Sequence, residues 1–144
     1  MTKRDAALGY LDSFLGVFYR WGGDDPSGWD CSGLMVEVLQ GVGVLPRVGD
    51  WSAEMLRKRF TPAHVPIRGC LAFRMNATGQ AVHVGMVWDV TDDGAALVIE
   101  AGGGDSTTKT EADAIKANAF VKLRPVWAGA VYADPFAVPA PGDV

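Results

Sequence analysis

Concentrated positive charge is the first thing this sequence lacks. Its 13 Lys and Arg residues are outnumbered by 17 Asp and Glu, the net charge is −4 and the pI is about 5.0. The densest basic groups are Lys3-Arg4 and Arg57-Lys58-Arg59. Neutralising nucleic-acid phosphates takes a basic patch or stripe, so no nucleic-acid partner is expected, and the second group reads as the solvated face of a helix. Long apolar runs are missing too. None approaches the roughly 20 residues that span a bilayer, and no membrane partner is expected. The N-terminal stretch MTKRDAALGYLDSFLGVFYR has the charged start of an export signal. However, Asp12 interrupts its apolar part and no clear small-residue cleavage site follows. The expectation is a chain that is cytoplasmic when made and reaches any target outside the cell by another route, such as a phage particle or host lysis.

Cysteine and histidine are also scarce, with Cys31, Cys70, His64 and His83 making up the whole supply. None of them falls in the close pairs of a structural zinc site, so no metal and no cofactor is expected. Two cysteines allow one disulfide, which a cytoplasmic origin disfavours.

What is present is ordinary globular composition, 49% hydrophobic and 21% charged over 144 residues, enough for one domain over residues 1–144 with one core. Leu8, Leu11, Leu15 and Phe18 have helical spacing and predict a first helix over residues 3–18. A second helix is predicted from Cys31 to about Gln40, with Asp30 as N-cap and Gly41 and Gly43 ending it. Ser52 to Phe60 reads as a short third helix. The second half changes character. CLAFRM, HVGMVWDV, AALVIEA and AFVKLRPV are short runs rich in β-branched and aromatic residues, separated by turn signals that include Asp93-Gly94. ADAIKANA offers one more helical turn. Helices followed by strands predict an α+β domain, its antiparallel sheet built mainly from residues 69–125. The three prolines after residue 134 predict an extended or frayed tail over 135–144.

The chemistry centres on Cys31. A thiol in the first turn of a helix faces the positive end of the helix dipole and unpaired backbone N–H groups. Both favour the thiolate, the reactive species, and the same N–H groups can hold an oxyanion. A thiolate nucleophile needs a partner to pair with it and to protonate a leaving amine. His64 lies between two prolines and reads as an exposed loop residue, whereas His83 opens a convincing strand. A third group should accept the other imidazole N–H. Glu100 ends the next strand, just before Gly102-Gly103-Gly104. If the two strands pair through the Asp92-Asp93-Gly94 turn, a small bulge or register offset brings Glu100 to His83. Asp105 is the alternative.

YRWGG, then WDCSGL, then HVGMV, then IEAGGG, in this order over roughly Asp5 to Pro125, resembles the NlpC family of papain-like cysteine peptidases, which cut peptides of bacterial peptidoglycan. The resemblance implies a papain-like fold with Cys31 as nucleophile, His83 as base and Glu100 in the third catalytic place, often a second His in the family. It implies that Tyr19 lines the site with its hydroxyl near the thiol, and that Asp30 and Ser32 contact the amine end of a stem peptide. The substrate it implies is a peptidoglycan peptide, cut between D-glutamate and the diamino acid through a thioester. Gly69-Cys70 stands where relatives often have Gly-Asp, so Cys70 takes the place of a surface carboxylate and has no catalytic part. The small chain is similar to peptidases of phage tails or gene-transfer modules, whose tail proteins would then be partners. The alternatives are an amidase or acyltransferase on the same fold, or a non-catalytic tail-tip component. Loops 24–29 and 102–108 would select among substrates.

Overall fold

The computed structural model describes residues 1–22, 24–25, 28–104 and 106–137. Most of the predicted tail and the alternative carboxylate Asp105 lie outside these residues, as do parts of both loops expected to select the substrate. Among the described residues the fold is α+β, with helices packed on one six-stranded antiparallel sheet.

The first helix, α1 (Lys3–Asp12), opens with a capping box between Thr2 and Asp5 and buries Ala7, Leu8 and Leu11. It stops well short of residue 18, against the prediction from spacing. Gly16 has a positive φ of 89°, which turns the chain into an extended segment. That segment then docks on the last third of the chain. Gly16 N–H donates to the Val121 carbonyl (2.9 Å), Val121 N–H to Val17 (2.7 Å) and Tyr19 N–H to Ala119 (3.1 Å). Leu15 is left exposed. Tertiary hydrogen bonding has overridden the helical pattern here.

A two-residue pair, β1 (Asp24–Asp25) and β2 (Gly28–Trp29), precedes α2 (Cys31–Gly41). Helix α2 starts where the sequence predicts and buries Leu34, Met35, Val38 and Leu39 completely. Next come α3 (Ala53–Arg59), capped by Ser52, and β3 (Thr61–Ala63). The basic group on α3 is more than a solvated face. Arg57 holds Glu54 through two bonds of 2.7 Å, and Arg59 lies over the Phe60 ring. Glu54 also accepts the Ala81 N–H at 2.9 Å, tying α3 to the strand that carries His83. The Arg57 bond, and then the Ala81 N–H, hold the Glu54 carboxyl down at about 2.

The remaining elements are β4 (Leu71–Met75), β5 (Ala81–Val90), β6 (Ala96–Gly102), α4 (Glu111–Ala117), β7 (Phe120–Pro125) and β8 (Val131–Asp134). The ADAIKANA turn is thus a short helix, closed by Asn118 in the left-handed region. Strand order is β3-β8-β4-β5-β6-β7, so the sheet extends beyond 69–125 at both ends of its sequence range. Pro62 in β3 is tolerated because β3 is an edge strand. The main core lies between the helices and one sheet face, around Phe73, Leu71, Val84, Met86 and Ile99. The other face carries a smaller cluster of Cys70, Ala72, Val87, Ala96 and Val98, with Trp127 and Tyr132 packed against it.

Phe73 is the bulkiest fully buried side chain of the sheet. Phe73→Ala is expected to cost about 3–5 kcal/mol through lost burial and the cavity left behind, read as a lower midpoint in urea unfolding.

Candidate active site

Cys31 is the first residue of α2 and is partly exposed. Asp30 caps the helix. Its carboxylate accepts the Gly33 N–H at 2.6 Å and its carbonyl accepts the Leu34 N–H at 3.1 Å. Among the described residues the Cys31 and Ser32 N–H groups have no backbone acceptor, so the helix start keeps two donors beside the thiol.

His83 and Glu100 meet because of one extra residue. Near the turn, Val90 pairs with Ala96 and Asp89 with Leu97. Beyond a bulge at Trp88, Val87 pairs with Val98 and Met86 with Ile99. Without that bulge Glu100 would share a sheet face with Met86, in the main core. A one-residue shift moves a side chain to the opposite face, and Glu100 instead lies alongside Gly85 on the face of His83. A Cβ on Gly85 would sit 3.1 Å from both the Glu100 Cβ and the Ile99 carbonyl. Glycine is needed there for close approach.

The Glu100 carboxylate is bonded to His83 Nε2 by a short hydrogen bond. It is 1% exposed, and its other oxygen lies 3.4 Å from an Arg124 Nη. Nδ1 of His83 is the nitrogen left for the Cys31 thiol. Burial pushes the His83 imidazole down, but hydrogen bonds to Cys31 and Glu100 outweigh it and raise its pKa to about 9. Burial likewise pushes the Glu100 carboxyl up, and the His83 bond, His83 charge and Arg124 more than reverse this. The pair is therefore an imidazolium and a carboxylate at neutral pH. Trp127 meets the His83 ring edge-on, with centroids 5.0 Å apart.

Tyr19, Trp21, Cys31, Arg74, Val82, His83, Glu100, Gly102 to Gly104 and Arg124 line one cleft of about 210 Å³. Of the residues singled out in the sequence, the structure gathers Tyr19, Cys31, His83 and Glu100 there. Asp30 and Ser32 flank the thiol without lining this cleft, and the Ser32 hydroxyl is 3.5 Å from the Asp30 carboxylate. His64 is exposed, away from the site. The glycine run after Glu100 serves close packing. A Cβ at Gly102 would collide with the Glu100 carboxylate, and one at Gly104 with the Tyr19 ring. A larger groove of about 930 Å³, beside Arg4, Arg59, Phe60 and Asp134, shares no lining residue with the cleft and holds no thiol or imidazole.

Cys70 corrects one expectation. It is fully buried in the second cluster, not a replacement for a surface group. Burial, then the Asp134 charge, raise its thiol to about 11. Arg74, Arg124 and Trp127 were missed in the sequence. Arg124 reaches the cleft through strand pairing, since Glu100 pairs with Lys122 and Arg124, two residues on, points to the same face.

Residues 16–122 match the NlpC/P60 family. Solved structures share the fold. The NlpC/P60 domain of the peptidoglycan hydrolase SagA superposes with a TM-score of 0.64 at 24% identity, covering 91% of this chain and 97% of that one. An NlpC/P60 family protein from Bacillus cereus gives 0.69 at 20% identity, over 93% of this chain and 40% of that one. The peptidoglycan hydrolase RipB from Mycobacterium tuberculosis gives 0.64 at 25% identity, over 94% and 66%. The chain therefore spans less than two thirds of the latter two proteins.

Two outcomes are expected of the isolated protein. Iodoacetamide should label Cys31 well before Cys70 at neutral pH, because Cys70 is inaccessible and held protonated; peptide mapping of the alkylated protein gives the order. His83 should titrate near 9 by NMR, and Glu100→Gln, which keeps an acceptor but loses the charge, should lower that midpoint. The sign for stability follows. A histidine raised from 6.5 to about 9 contributes fully below 6.5, and the contribution is lost as pH rises through about 9.

Proposed function

The chain belongs to the NlpC/P60 family, and from that membership together with its cleft we propose that it is a cysteine peptidase that hydrolyses an amide bond in peptidoglycan stem peptides. The observation that carries this is the line Cys31–His83–Glu100, a thiol at a helix N-terminus sharing the cleft with an imidazole that a buried carboxylate holds from behind.

The chemistry follows from the positions. The Cys31 thiolate, paired with the His83 imidazolium, attacks the scissile carbonyl carbon. Negative charge moves to the carbonyl oxygen, where the Cys31 and Ser32 N–H groups and the dipole of α2 stabilise it. As the tetrahedral species collapses, His83 hands its Nδ1 proton to the leaving nitrogen, the C–N bond breaks and a thioester remains. A water, deprotonated by His83, then attacks the thioester, releasing the acid and regenerating the thiolate. Glu100 fixes the ring with Nδ1 towards the thiol and stabilises the imidazolium. Tyr19 walls the cleft, its ring held against Gly104.

The bond we propose is the one between D-glutamate and the diamino acid. Asp30 and Ser32, beside the thiol, are proposed to meet the free amine end of the stem peptide. The site of action on this reading is the bacterial wall.

Purified protein incubated with sacculi should release soluble peptides whose masses report the bond cut. Cys31→Ala should release none, and His83→Ala should fall by roughly 10²–10⁴-fold. Glu100→Ala should lose roughly 10²-fold or more and Glu100→Gln less, because glutamine still orients the ring. An intact Cys31 protein that releases nothing from any sacculus would overturn the proposal.

A further inference from the structure

We propose that Arg74 forms an anion subsite that binds a carboxylate carried by the residue on the leaving-group side of the scissile amide, an inference that rests on the peptidase reading above. Arg74 pairs directly with His83 across the β4–β5 ladder, so the two side chains share a sheet face roughly 5 Å apart at their Cβ atoms. Arg74 is exposed, lines the cleft and has no hydrogen-bond or ion-pair partner among the described residues. Arg124 lines the cleft from the β7 side. Its Nε donates to the Pro125 carbonyl at 3.1 Å and one Nη faces Glu100 at 3.4 Å, and its side chain is 45% exposed.

The local charge runs against that of the molecule. The chain carries −4, yet among the described residues lining the cleft the one carboxylate, Glu100, is already matched by His83. Two guanidinium groups and an imidazolium face that carboxylate and the Cys31 thiol. The surplus is a guanidinium with no internal partner, a group suited to bidentate recognition of a carboxylate. Exposed Trp21 and Val82 supply apolar contact on the same walls.

The side is set by proton transfer. His83 must lie beside the leaving nitrogen to protonate it. Arg74 sits across from His83 on β4, on the side of β5 away from Glu100 and β6. What reaches Arg74 is therefore attached to the leaving amine. A diamino acid with a free carboxylate fits this position. One whose carboxylate is amidated, or lysine in place of a carboxylated diamino acid, leaves the guanidinium unmatched.

The test uses two peptides with the γ-D-glutamyl–diaminopimelate bond that differ only in having the diaminopimelate carboxylates free or amidated. Wild-type protein should favour the free acid by roughly tenfold or more, as expected for a charge-assisted hydrogen bond, with the difference in KM. Arg74→Gln should collapse that preference to about twofold by raising KM for the acid, and Arg74→Lys should restore part of it. Calorimetric binding of the same peptides to Cys31→Ala protein, with and without Arg74→Gln, reads the subsite without turnover. Circular dichroism checks that each variant is folded. Equal handling of acid and amide by the wild type, or a preference that survives Arg74→Gln, overturns the subsite. If neither peptide is cut, the peptidase reading fails on this bond, and the binding arm alone decides the subsite.

Discussion

A buried carboxylate that must keep its charge is the constraint around which the rest of this site is organised. Glu100 is 1% exposed, and an isolated carboxylate in that position would either take up a proton or destabilise the fold by several kcal/mol. The His83 imidazolium removes the problem and Arg124 adds a second, weaker contact. The surrounding backbone is shaped to let this happen. The bulge at Trp88 brings Glu100 to the correct face, and the missing side chains of Gly85 and Gly102 give its carboxylate room. Trp127 closes over the glycine and meets the imidazole edge-on. Each feature has little meaning alone. Together they hold an imidazolium in one orientation.

The thiol reaches that imidazolium by a different route. It is carried on α2, whose apolar face is fixed by the main core, while His83 and Glu100 belong to the opposite face of the sheet. Helix and sheet face come together at the cleft, which Cys31, His83 and Glu100 line together. Glu54 secures the start of β5 by accepting the Ala81 N–H two residues before His83. The segment after α1 secures another side of the cleft. By pairing with β7 it delivers Tyr19 to Gly104. The cleft is thus a junction of six chain segments, the stretch after α1, α2, β4, β5, β6 with the glycines that follow it, and β7, and its geometry is only as good as the packing of each.

Electrostatics separate the cleft from the rest of the surface. An acidic molecule keeps two arginines at the mouth of a site whose own carboxylate is already matched. Elsewhere its arginines are largely committed. Arg4 is held by Asp134, Arg57 by Glu54 and Arg68 by Asp5. Arg74 lacks such a partner among the described residues, which makes its position opposite His83 chemically informative.

The sequence alone determined the start of α2 at Cys31, because an aspartate N-cap followed by an apolar helical stripe is a local signal. It also determined the order of helices before strands, and the placing of His83 on a strand and His64 in an exposed loop, because strand composition and flanking prolines are local as well. Tertiary structure decided what depends on pairing between distant segments. Local spacing favoured a helix to residue 18, but the chain leaves α1 after Asp12, turns at Gly16 and is held extended by hydrogen bonds to Val121 and Ala119. The strands β3 and β8 were too short to read, and they exist because β8 pairs with β4 and β3 in turn pairs with β8. Burial of Cys70 and the approach of Arg74 and Arg124 to the cleft follow from which face each strand turns inward. That choice was open in the sequence, because a single bulged residue reverses it, and the bulge forms only when β5 and β6 pair.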